Sequence, residues 1–92
     1  MDMTRFTQVQ QVVLVAVGAE TPFVIEKGIG AIVVQGRDVP IPIAYRTGAL
    51  AAGLYFTAPM VGTGKPYSRG FINNIDRMIY FGAGTVEIEL WS

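Results

Sequence analysis

The clearest regularity along the chain is a period of two. In Thr85-Val86-Glu87-Ile88-Glu89-Leu90-Trp91, Val86, Ile88 and Leu90 fall on one side, with Thr85, Glu87 and Glu89 on the other. Side chains alternate faces along an extended strand, so this is how a strand with one buried face reads. The stretch from Phe6 to Val17 begins by alternating and then turns apolar at every position through Val12, Val13, Leu14 and Val15. That run predicts a strand whose first half is half-exposed and whose second half is covered on both faces. Further strands are expected over Phe23–Glu26, Ala31–Gln35, Val39–Tyr45, Leu54–Thr57 and Arg77–Phe81. Each is bounded by turn formers: Thr21-Pro22, Gly28 and Gly30, Gly36, Gly53, Pro59 and Gly82-Ala83-Gly84. A single helical turn, Ile72 to Met78, is the one segment that could depart from this scheme. Short strands at close spacing predict one all-β domain over 1–92. The expected form is a small antiparallel β-sandwich, jelly-roll-like, or a barrel, of about seven to eight strands.

The segment Val39–Tyr45 carries more information than its neighbours. Val39, Ile41, Ile43 and Tyr45 share one face, expected to be the core face, and Pro40, Pro42 and Ala44 share the other. Residues two apart aim their backbone N–H groups at the same sheet edge, so Pro40 and Pro42 remove two donors from one edge. This predicts an edge strand, or one beside a gap. The prolines either prevent unwanted strand pairing or leave an edge for a partner that docks through side chains.

Composition sharpens this picture. Of the 92 residues, 51% are hydrophobic and 15% charged, against roughly 25% charged in ordinary soluble domains. A small domain has the largest surface for its volume and should need the most polar cover. Either Gln, Thr and Asn solubilise a neutral sandwich, or, as the favoured reading, other subunits cover part of this surface, because soluble monomers keep exposed apolar patches small. Trp91 and Tyr55, with Pro40 and Pro42, are the residues expected at such an interface. The uncharged stretch from Thr47 to Gly64 nears membrane-spanning length. Its four glycines, Pro59 and three threonines predict loop, strand and loop instead. Asp2 and the cluster Gln8, Gln10, Gln11 break the charged-then-apolar order of a secretory leader, so none is expected.

Charge and chemistry exclude most functional classes. Seven basic residues balance seven acidic ones without runs of either sign. No basic stripe is available for nucleic acid or for an anionic membrane surface. Cysteine and histidine are absent. The fold therefore has no disulfide, and the commonest general base and metal ligand are both missing. Gly62-Thr63-Gly64-Lys65-Pro66 fails as a phosphate loop, since Pro59 and Pro66 occupy the required glycine and hydroxyl positions. Gly28-Ile29-Gly30 is too short for a dinucleotide fingerprint and reads as a turn. Glu87 and Glu89 could share a cation, but a solvated face or intersubunit salt bridges with Arg5, Arg69 or Arg77 fit better. Ser68 and Ser92 have no histidine to activate them. The ten aromatics, at strand spacing, suit core or interface better than a sugar platform. No catalytic, cofactor or metal residue is therefore assigned.

The order of segments resembles the small β-sandwich virion proteins of tailed bacteriophages. The features are Ala31-Ile32-Val33-Val34-Gln35-Gly36-Arg37, a strand Gly53 to Thr57, then Arg77-Met78-Ile79-Tyr80-Phe81, and the closing Gly84 to Trp91. The likeness spans residues 22 to 92 and is one of strand types. It implies a non-enzymatic structural protein of the virion, assembled in the host cytoplasm. The foremost form is a capsid decoration (cement) protein, and a head–tail accessory is the alternative. Its implied partners are copies of itself, with a trimer as one form, and the major capsid protein or other virion proteins. A carbohydrate-binding sandwich is the competing class.

Overall fold

The computed structural model describes residues 7–70 and 77–92. Among them are eight strands: β1 (Gln8–Ala16), β2 (Thr21–Val24), β3 (Ala31–Gly36), β4 (Ile41–Ala44), β5 (Phe56–Ala58), β6 (Tyr67–Arg69), β7 (Met78–Phe81) and β8 (Gly84–Trp91). They form two four-stranded sheets, ordered β1-β8-β3-β6 and β2-β7-β4-β5. Every pairing between these strands is antiparallel, beside one isolated parallel bridge between Gly36 and Met60. The pairs β1 with β8, β2 with β7, β3 with β6 and β4 with β5 are nested. This is the connectivity of one long antiparallel ribbon rolled into two layers. The chain is a small β-sandwich, as its period of two implies.

The core is the apolar half of each alternation. Val86, Ile88 and Leu90 of β8 are buried together with Ile32 and Val34 of β3, while Thr85, Glu87 and Glu89 stay half-exposed. The facing sheet contributes Ile41 and Ile43, Ala58, Ile79 and Phe81, all fully buried. Phe23 packs on Phe81 with ring centroids 6.2 Å apart. Burying each such side chain contributes roughly 1.5–3 kcal/mol, and this offsets the ordering of a small chain. No charged or polar side chain is buried among the described residues.

The crossing from β7 to β8 shows how closely the layers meet. Gly84 has φ of 141°, and a Cβ there would lie 2.6 Å from Ile41 Cδ1 and 2.8 Å from Val39 Cγ2. Only glycine suits both the backbone and the space. The stretch from Thr47 to Ala52 forms turns, Ala49 N–H donating to the Arg46 carbonyl and Leu54 N–H to that of Ala49. The expected loop, strand and loop are present, with the strand at Phe56–Ala58 rather than Leu54–Thr57. No helix of the described residues is long and apolar enough to cross a membrane.

Two expectations need correction. β4 is not an edge strand, since β7 flanks it on one side and β5 on the other. Pro40 lies just ahead of the strand. Pro42 accepts from Gly82 N–H at 3.0 Å with no donor to return, and the ladder to β7 covers only Ile43 and Ala44. The missing donor shortens a pairing instead of marking an edge. The apolar second half of β1 is not covered on both faces. Val12 and Leu14 pack on the core, while Val13 is 50% and Val15 65% exposed. The strand expected over Arg77–Phe81 is present as β7, and residues 72–76 of the alternative helical turn lie outside the described residues.

Candidate interaction surfaces

Among the described residues, exposed apolar side chains include Val24 beside Met78, Val39 and Val61, and two regions gather more of them. The first is β1, the outermost strand of its sheet. Val12, Leu14 and Ala16 face the core, so the alternate residues must face outward. Val13, Val15 and Val17 (73% exposed) make an apolar stripe, and beyond Gln11 Val9 (55%) is exposed at the irregularity between Gln8 and Gln10. No charge and no proline occurs from Gln8 to Val17. Along the same outer face, Glu87 lies beside Val13, and Glu89 beside Gln11.

The second region is the open end of the sandwich beside β5 and β6. Tyr45 follows β4 on the inward parity, where Phe56 and Tyr67 meet it. Ring centroids are 6.2 Å apart for Tyr45 and Phe56 and 5.7 Å for Phe56 and Tyr67. The two tyrosine hydroxyls hydrogen-bond each other. The Arg69 guanidinium lies 4.5 Å from the centre of the Tyr45 ring, a cation–π contact. Burial chiefly, and then the bond to Tyr67, hold the Tyr45 phenol well above its ordinary pKa, while Arg69 pulls the other way. Beside this cluster is a depression of about 290 Å³, lined by Ala44, Tyr45, Arg46, Ala49, Leu54 and Phe56. Leu54 (72%) and Phe56 (55%) form an exposed apolar rim, and Tyr55 (47%), between them in sequence, is exposed too.

The residues expected at an interface do not form one surface. Tyr55 is exposed, between Leu54 and Phe56 in sequence. Pro40 is exposed at the end where Val39 approaches Gly84, and Pro42 is half-buried against β7. Trp91 ends β8, about 23 Å from Gly84 at 3.3 Å per residue. It is half-buried, and its Nε1 donates to Glu89 Oε1 at 3.1 Å. Within one chain the carboxylates and Arg77 have the following partners. Glu87 accepts from Arg37 Nε at 3.1 Å, a surface pair, and Arg77 donates instead to the carbonyls of Glu26 and Ile29. Arg5 lies outside the described residues. No group of three or more potential metal-ligating side chains occurs among the described residues. Gly62 and Thr63 belong to an exposed turn, where Thr63 Oγ1 donates to the Met60 carbonyl.

Sequence reasoning missed the β1 stripe. Its signal was present in the charge-free run Val12-Val13-Leu14-Val15, but such a run reads equally as a strand buried by its own chain or as one left open. Comparison with family models, curated proteins and solved structures found no match for this chain.

Proposed function

We propose that this chain is a non-enzymatic structural protein of a tailed-phage virion, foremost a capsid decoration protein that acts by associating with itself and with the major capsid protein. The carrying observation is the outward apolar face of β1, where Val9, Val13, Val15 and Val17 remain in solvent. A 92-residue chain with 15% charged residues gains by covering such a face, at about 25 cal/mol for each Å² removed from water. The nested strand order, which we read as a jelly roll, supports the virion setting, because viral capsid domains use this architecture repeatedly. Lectins use it too, so the surface must decide between them. A sugar site needs convergent polar groups. The depression beside Tyr45 has instead a mainly apolar lining, and the Tyr45 hydroxyl is already engaged by Tyr67. This favours assembly over glycan binding.

The test is mass spectrometry and electron microscopy of purified virions that carry the gene. The chain should be present in many copies per particle, with density on the capsid surface. Absence from washed particles, or binding of the purified chain on a glycan array, would overturn the proposal.

A further inference from the structure

We infer that two copies of this chain join edge to edge through β1, related by a two-fold axis at Val13, so that each four-stranded β1-β8-β3-β6 sheet continues into its mate. This rests on the self-association reading and specifies its contact.

Among the described residues the sandwich has four sheet edges: β1, β6, β2 and β5. Open edges invite pairing, and proteins normally blunt them with short strands, prolines or charges. Three of these edges are blunted. β5 and β6 have three residues each, with β6 ending at Arg69, and β2 has four, including Pro22. β1 has nine residues with neither proline nor charge. Its one irregularity is confined to Gln8/Gln10.

Backbone direction completes the case. Gly30 N–H donates to the Trp91 carbonyl and Arg37 N–H to that of Thr85, each at 2.9 Å. The odd residues of β8 therefore aim their main chain at the β3 side, and Val86, Ile88 and Leu90 aim theirs at β1. Their partners there are Leu14, Val12 and Gln10. Gln11, Val13 and Val15 must then turn both N–H and C=O to the free edge. A two-fold axis at Val13 sets Val13 against its own copy and Gln11 against Val15 of the mate, each pair exchanging both backbone hydrogen bonds. Val9 falls near Val17 of the mate. Every opposed side chain is uncharged, so no like charges meet. A second copy thus supplies an antiparallel strand of matching length and chemistry. The isologous contact closes at two copies.

Two measurements test this on the full chain. Sedimentation should give twice the 10.0 kDa of one chain, and hydrogen exchange should show the amides of Gln11, Val13 and Val15 protected. Val15→Pro removes an outward N–H without touching the β8 ladder, so the fold should persist. Val13→Lys puts like charges on the axis at a side chain already half in solvent. Each should weaken association roughly 10- to 100-fold or more and release those amides. An oligomer whose Gln11, Val13 and Val15 amides exchange freely, a trimeric mass, or folded variants that still associate like the parent would overturn the edge contact while leaving self-association standing. A monomer at every concentration would overturn both.

Discussion

Ile41→Ala tests whether the core is built as described. Ile41 is fully buried and lies against two stretches of bare backbone. Cβ atoms built on Gly36 and Gly84 would approach its Cγ1 and Cδ1 to 3.0 and 2.6 Å. The substitution removes the three carbons beyond Cβ, each worth about 0.8 kcal/mol, or about 2.4 kcal/mol of transfer free energy. Strand backbone closes poorly over a void, so a cavity contribution adds to this. The expected loss is about 3–4 kcal/mol, within the range for buried large-to-small changes. A domain of this size has roughly 5–15 kcal/mol in total, and each kcal/mol moves the midpoint by about 4–8 °C. Thermal melting by circular dichroism should therefore show a fall of at least about 12 °C. Both proteins must be melted at one concentration, since association itself raises the midpoint. A fall below about 5 °C would mean that Ile41 does not face the core.

Gly36→Ala should cost more than about 2 kcal/mol in urea unfolding, because the new Cβ would lie 1.8 Å from the Val39 carbonyl oxygen and must push backbone aside. Pro42→Ala should cost under about 1 kcal/mol and leave the sedimentation mass unchanged, since β4 is an interior strand whose restored N–H faces β7 and not solvent. The raised pKa of Tyr45 gives a pH dependence. Stability carried by its neutral phenol is complete below about pH 10, the unfolded value, and is lost as pH rises toward the higher folded value. Alkaline melts should show that loss, Tyr45→Phe should flatten it, and tyrosinate absorbance should show Tyr45 ionising above the ordinary tyrosine range.

Where a strand was half-buried by its own chain, the pattern of side chains was sufficient to read it. β8 is the plainest case, because Val86, Ile88 and Leu90 are inside and Glu87 and Glu89 outside, as their alternation requires. β6 was missed because three residues, Tyr67 to Arg69, are too few to show a period. The prolines misled for a geometric reason. Pro40 precedes the strand, and the donor lost at Pro42 faces Gly82, where a shortened ladder tolerates it. β1 misled for a different one. A run apolar on both faces states that both should be covered, without stating that the cover comes from the same molecule. Trp91 was expected at an interface, and within one chain its cross-strand neighbour Ala31 and a bond to Glu89 leave it half-buried. The Tyr45–Tyr67–Arg69 cluster joins residues far apart in sequence, and neither periodicity nor spacing marks it.

Self-association is the claim on which the functional proposal depends, and sedimentation equilibrium of the purified chain measures it most directly. Across micromolar concentrations the mass should be a multiple of 10.0 kDa, falling only on dilution. A mass of one chain throughout that range would contradict the claim, and the outer face of β1 would then be a surface that this protein leaves in water.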